Sequence, residues 1–279
     1  MLLRRRDTML ILAGGGLAGL LPRAGRAAAT TIESLRRSGA IDIGCEATYP
    51  PFSFRKGMDI IGYDVEVATR IFGSIGVTPR FIDTEWAGVI PSLYAGRFDL
   101  IMSSLSYTRE RMEKVAYTIP YAEASQALLI RASDKERIRG IDDMSGRVLG
   151  IKLGSPGATM QASLDERIAA ARGKGFASVK TYDDHPSAYM ALAQGTTDGV
   201  LNTLPTLGDM LRTSGARFAI VRDVGRQNWA GIAARREDTK LVAFVDGQLR
   251  AAEADGSLGA LQDRWFGLRF DLPATLPTL

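Results

Sequence analysis

LYAGRFDLIMSS, residues 93–104, ends a helical pattern on a glycine, opens a new segment on an aspartate and then runs apolar into two serines. LAQGTTDGVLNT, residues 192–203, does the same, with leucine, glycine and aspartate in register. A glycine suits a helix end, where a left-handed residue is needed, and each aspartate then starts a strand. Two copies of this helix-glycine-strand unit point to two similar halves. The pairing also sets Ser103 and Ser104 opposite Asn202 and Thr203.

Working outward, strand-like AIDIGC, TPRFID and FDLIM alternate with helical YDVEVATRIFGSIG and AGVIPSLYAG. The second unit repeats the order with RVLGIKLG, ATMQASLDERIAAA, SVKTYD, PSAYMALAQG and DGVLN. Such alternation predicts an α/β protein with mostly parallel strands. After residue 229 come a strand and two helices, then a proline-bearing tail.

The first 29 residues read differently. Arg4, Arg5 and Arg6 precede the short apolar MLILAGGGLAGLL, and PRAGRAAA ends in small residues, the pattern of a cleavable export signal. The apolar stretch is too short and glycine-rich to span a bilayer comfortably. The arginine pair fits the twin-arginine export route. Removing residues 1–29 takes away five arginines and one aspartate and leaves 30 basic against 30 acidic residues. The formal net charge of +4 therefore belongs to the signal, and nucleic acid loses its electrostatic argument as a partner.

Cys45 and His185 are the single cysteine and histidine of the chain, which leaves no zinc-type ligand set and no ordinary Ser-His or Cys-His pair. No metal or cofactor is expected. In DDHPSA, His185 reads as a surface residue at a helix entry.

In an open parallel sheet, ligands sit beyond the carboxyl ends of the strands. Ser103, Ser104 and Ser106 fall there if FDLIM is a strand. Thr108 is a good N-cap, which puts Arg109 and Arg111 in a first helical turn, where a cation meets the positive end of the helix dipole. A functional reason for that placement is a carboxylate gripped by the planar guanidinium of Arg111.

GCEATYPPFSF, IGYDVEVATRI, WAGVIPSLYAGRFDLIMSSLSYTRER, YTIPYAEASQALLI, LGIKLGS and ADGSLGALQDRWFG, in this order over residues 40–268, resemble the polar amino-acid class of periplasmic solute-binding proteins, the receptors of ABC importers. The resemblance implies a two-lobe periplasmic binding protein type II fold, each lobe a mostly parallel sheet flanked by helices. Lobe 1 would take residues 30–122 and 230–279, and lobe 2 residues 123–229, with crossings near Ala122–Glu123 and Trp229–Ala230.

By the same resemblance Tyr49 packs on the ligand with Phe52 behind it, and Trp86 lines the cleft. Ser104 and Ser106 bind the ligand with neighbouring backbone at Ser103, and Arg111 takes its carboxylate. From lobe 2, Gly154, Ser155 and Gly157 offer a helix start to the same carboxylate. Lys152 stands where some relatives place a ligand contact, and Glu46 where an aspartate is common. At Thr203, relatives that bind α-amino acids usually carry an aspartate for the ammonium group, whereas Asn202 and Thr203 are neutral. The implied function is capture of a small carboxylate-bearing polar solute, an amino acid or related organic acid, by a monomeric periplasmic receptor. It would hand the solute to an inner-membrane ABC permease. The alternative is an enzyme like the branch of this family that dehydrates cyclohexadienyl acids, with Glu46 as the acid.

Overall fold

The computed structural model describes residues 30–222 and 224–278, so the expected export segment lies outside the described residues. Strands in chain order are β1 (Ala40–Cys45), β2 (Thr48–Tyr49), β3 (Ser53–Lys56), β4 (Asp59–Ile61), β5 (Thr78–Asp83), β6 (Leu100–Ser106), β7 (Ala116–Tyr117) and β8 (Ala122–Glu123). They continue as β9 (Gln126–Arg131), β10 (Val148–Lys152), β11 (Ser178–Tyr182), β12 (Gly199–Thr203), β13 (Phe218–Val221) and β14 (Trp229–Ala234). Helices are α1 (Ile32–Ser38), α2 (Tyr63–Gly73), α3 (Val89–Tyr94), α4 (Arg109–Lys114), α5 (Pro156–Arg172), α6 (His185–Ala193), α7 (Leu204–Ser214), α8 (Thr239–Ala254) and α9 (Ser257–Phe266).

Two sheets organise the molecule, in the order β5-β1-β6-β14-β7 with β8 beside β14, and β11-β10-β12-β9-β13. Each is parallel over its first three strands and antiparallel beyond them. The parallel part is the repeated helix-glycine-strand unit. The antiparallel part comes from β14, which returns from the second half of the chain, and from β9, which leads into it. Glu123 pairs with Trp229 and Ala122 with Ala230, so two short antiparallel segments join the lobes.

Both faces of each sheet are covered, which is why the central strands β6 and β12 are buried throughout rather than alternating. In the first lobe Ile41, Ile43, Leu100 and Ile232 pack with Val67, Ile71, Val245 and Leu258 on one face, and Ile101, Leu105 and Phe98 pack with Leu93 on the other. In the second lobe Leu149, Ile151 and Leu201 pack with Leu164 and Ile168, while Leu129 and Val200 pack with Leu192 and Leu207.

The two halves repeat one device at the strand starts. Asp99 donates its N–H to the Asp42 carbonyl at 2.8 Å and accepts from the Asp42 N–H at 3.3 Å. Asp198 does the same with Val148, at 2.8 and 2.9 Å. The aspartates noticed in the sequence thus lock β6 to β1 and β12 to β10. The opposite ends of these strands face each other across the gap between the lobes.

Candidate functional site

Strand β6 does not stop before the serines but continues through Ser106. It turns at Ser104, whose φ of 51° lies in the left-handed region that non-glycine residues rarely adopt. The Ser104 N–H donates to Tyr121 Oη at 3.0 Å, and that hydroxyl donates onward to Asp64 Oδ1 at 2.6 Å. Ser53 Oγ donates to the other oxygen of Asp64 at 2.9 Å, and Tyr63 Oη donates to the Tyr121 carbonyl at 2.6 Å. Burial pushes the Asp64 carboxyl up to about 6, against the lowering effect of these hydroxyls. The bend leaves the Ser104 and Ser106 hydroxyls buried, without a hydrogen-bond partner, on the wall of the interlobe cavity. Buried polar atoms in a native fold are normally satisfied, and these two hydroxyls on one wall are exceptions.

Lobe 1 lines the cavity with Glu46, Tyr49, Trp86 and the three serines. Lobe 2 adds Gln126, Lys152, Ser155, Pro156, His185, Asn202 and Thr203. The lobes meet closely, leaving about 20 Å³, room for a water molecule or so. Tyr49 Oη donates to Asn202 Oδ1 at 2.7 Å and lies 3.0 Å from Thr203 Oγ1. Trp86 Nε1 donates to the Gly154 carbonyl at 3.0 Å. Glu46 and Lys152 form an ion pair across the gap. Ser103 Oγ accepts from the Glu46 N–H at 3.1 Å and so fixes the strand end that carries the acid.

Thr108 caps α4 as its sequence predicts, with Oγ1 accepting from the Arg111 N–H at 3.2 Å. The Arg111 guanidinium lies at the seam between the lobes rather than in solvent. Nη1 donates to the Ser106 carbonyl at 3.1 Å, Nη2 to the Gly154 carbonyl at 2.9 Å, and the group sits 5.1 Å from the Trp86 ring centre. It lines the outer groove beside Trp86 rather than the inner cavity. Burial pulls its pKa down, yet an arginine stays charged.

Lys152 Nζ lies 4.7 Å from the Trp86 ring centre and 5.4 Å from that of Tyr49. Burial pulls Lys152 down and pushes Glu46 up, and the attraction between the two opposes both shifts.

Ser155 caps α5, its Oγ accepting from the Ala158 N–H at 3.2 Å, with Pro156 as the first helical residue. Phe52 does not face the cavity: it is fully buried, stacks 5.7 Å behind Tyr49 and packs on Tyr63 and Phe266. Gly157 is a packing position, because a Cβ there would stand 3.0 Å from Leu201 Cβ. Gly154, with a φ of 67°, serves through its carbonyl.

The surface position expected for His185 is wrong. It is buried, 5.5 Å from the Tyr49 ring and 5.8 Å from the Tyr189 ring, and burial holds it well below the usual histidine range, so it is neutral. Asp184 caps α6 from outside, but the helix start points into the cleft rather than toward solvent.

Residues 41–268 match the pattern that defines the bacterial extracellular solute-binding proteins, family 3. The chain belongs to that family. This family-3 protein is 27% identical over 238 residues to the L-cystine-binding protein TcyJ of Escherichia coli K12, covering 85% of this chain and 86% of that one. It is 27% identical over 233 residues to ABC transporter arginine-binding protein 1 of the same organism, covering 81% and 90%. Its fold matches an ABC uptake transporter substrate binding protein from Streptococcus pneumoniae, solved with bound histidine, at a TM-score of 0.77 and 26% identity, over 85% of this chain and 96% of that one. The two-lobe α/β architecture read from the sequence is the one these relatives share.

Some residues in the cavity wall, and one just behind it, are not marked in the sequence of this family-3 protein. Gln126 opens β9 directly after the crossing and carries no motif of its own. Tyr189 accepts from Asn202 Nδ2 at 2.5 Å and so orients the amide that meets Tyr49. The repeat holds a usable signal for His185: extended toward the N-terminus without a gap, the alignment of residues 93–104 with 192–203 pairs His185 with Trp86.

Proposed function

We propose that this family-3 protein is the solute receptor of an ABC importer. It captures a small carboxylate-bearing polar solute, an amino acid or related organic acid, between two hinged lobes. The observation that carries this reading is the pair of buried, unpartnered hydroxyls of Ser104 and Ser106 on an interlobe cavity, with the Arg111 cation at its seam. A solute carboxylate would replace the Gly154 and Ser106 carbonyls on the guanidinium and take two charge-assisted bonds, stronger than those it displaces. Ser104, Ser106 and the helix start at Ser155 would complete its shell.

Each half supplies part of the shell, so binding and closure are coupled: the solute shifts the open–closed balance by as much as it prefers the closed form. Tyr49 and Trp86 wall the solute, and Asn202 and Thr203 offer neutral groups to its far side. The chain is exported to the periplasm by its leading segment, acts as a monomer and presents its closed form to an inner-membrane permease. The ion pair favours binding over dehydration, because a carboxylate committed to an ammonium makes a poor proton donor.

A thermal-shift screen of L-amino acids and small organic acids, followed by calorimetry on the hits, tests the reading. At least one small carboxylate should stabilise the protein, and Arg111→Ala should weaken it. A protein stabilised by none of the amino acids and small organic acids of the screen, in which prephenate or arogenate is converted to product, would replace this reading with the enzymatic one.

A further inference from the structure

Three groups of lobe 1, the Trp86 ring, the Tyr49 ring and the Glu46 carboxylate, surround one point in the cleft. Two aromatic faces with a carboxylate beside them recognise an ammonium ion. The ammonium found there is the protein's own, Lys152 Nζ, delivered from the tip of β10 in the other lobe. We propose that Lys152 is a built-in occupant of this cation box, and that it turns the cleft against solutes carrying a lone positive charge at the end distal to their carboxylate. The inference deepens the receptor reading above and rests on it.

The charges explain the selection. With a simple carboxylate bound, the closed cleft holds Arg111 against the solute and Lys152 against Glu46, and both pairs are satisfied. A solute that also brings a distal cation leaves one positive charge in the closed cleft without a partner. Lys152 is only 2% exposed and cannot reach water unless the lobes part. Among the described residues, the remaining groups on the cavity wall are uncharged: the serines, Pro156, Gln126, His185, Asn202 and Thr203. Asp83, Glu85, Asp183 and Asp184 line the groove just outside Glu46, so the field at the box favours a cation there, and Lys152 already supplies it. Each unpaired charge in a closed site opposes closure, so a distal cation, added to whatever α-ammonium the solute carries, weakens binding further. A distal group carrying both charges is treated differently, since each of its charges meets an opposite one.

Calorimetry on the full mature chain tests this with L-lysine and L-arginine against L-alanine, L-serine, L-glutamate and succinate. The native protein should bind its best uncharged or acidic probe at least tenfold more tightly than either cationic one. Lys152→Met, which keeps the length and removes the charge, should gain at least tenfold for L-lysine or L-arginine. Lys152→Gln gives the same reading should the methionine variant not fold. Native protein that binds L-lysine or L-arginine as tightly as the other probes, or variants that gain nothing for them, overturns the role of Lys152 while leaving the receptor reading intact. Native protein that binds none of the probes, or binding that survives Arg111→Ala, removes the receptor reading and this inference with it.

Discussion

Glu46 and Lys152 stand at equivalent places in the two lobes and meet across the cleft. Ile43 of β1 pairs with Leu100, Leu149 of β10 pairs with Gly199, and Leu100 and Gly199 align in the internal repeat. Counting on equally from Ile43 and Leu149 reaches Glu46 and Lys152, which lie 106 residues apart in the chain. The pair exists only while the lobes are closed, so it acts on closure rather than on the stability of either lobe.

Glu46→Gln should therefore open the unliganded protein. Removing one partner of a buried pair costs about 3–5 kcal/mol, and this penalty falls on the closed form alone, since an open cleft hydrates Lys152. Small-angle scattering should show a larger radius of gyration for the variant than for the native protein without ligand. Equal radii would mean that the ion pair does not hold the lobes together.

Arg111→Ala should weaken carboxylate binding by about 1.5–3 kcal/mol, one to two orders of magnitude in Kd, the worth of hydrogen bonds to a charged group. Arg111→Lys should recover only part of the loss, because an ammonium lacks the planar fork that meets both carboxylate oxygens. Calorimetry on the two variants separates charge from geometry, and full recovery by lysine would deny the forked contact.

The parallel half of each sheet was legible because its register is written locally, in the Gly96–Asp99 and Gly195–Asp198 turns that tie β6 to β1 and β12 to β10. The antiparallel strands β9 and β14 were harder to place, because they are buried on both faces and carry no alternation. Within the site, the serines and Arg111 stood out as a local cluster of hydroxyls and charge. The backbone turn at Ser104 did not, because Tyr121 and Asp64, distant in sequence, impose it. DDHP announced a helix cap but not the direction of the helix, so His185 was read as exposed.

Asp64 should make stability depend on pH in the unusual direction for a carboxylate. Its folded pKa is raised to about 6 from 3.8, so between these values the folded state holds a proton that the unfolded state has lost. Its contribution is then fully present below about 3.8 and declines as pH rises through about 6, by about 3 kcal/mol in all at 1.36 kcal/mol per unit. Asp64→Asn should flatten this part of the urea-midpoint profile between pH 4 and 6. An unchanged slope in the variant would mean that another group titrates there.

Arg235 and Arg131 perform one structural task in the two lobes, and their loss should be unequal. Arg235 follows β14 and donates to the Leu93 and Phe98 carbonyls at 3.3 and 3.1 Å, beside Asp99, with Asp238 Oδ2 2.8 Å from its Nε. Arg131 ends β9 and donates to the matching Leu192 and Thr197 carbonyls at 3.0 and 2.5 Å and to Asp198 at 3.0 Å, with Asp134 at its Nε. The Arg235 side chain is 4% exposed and that of Arg131 23%. Arg235→Ala leaves the buried Asp238 carboxylate without its counter-charge and should cost about 3–5 kcal/mol in urea unfolding. Arg131→Ala should cost less, because Asp134 keeps Arg137 as a second partner and Asp198 is about a quarter exposed, so water screens it. Both arginines brace the strand starts, at the far end of each sheet from the cleft, so ligand affinity of the folded variants should stay native. A larger loss for Arg131, or a changed Kd in either variant, would break the equivalence.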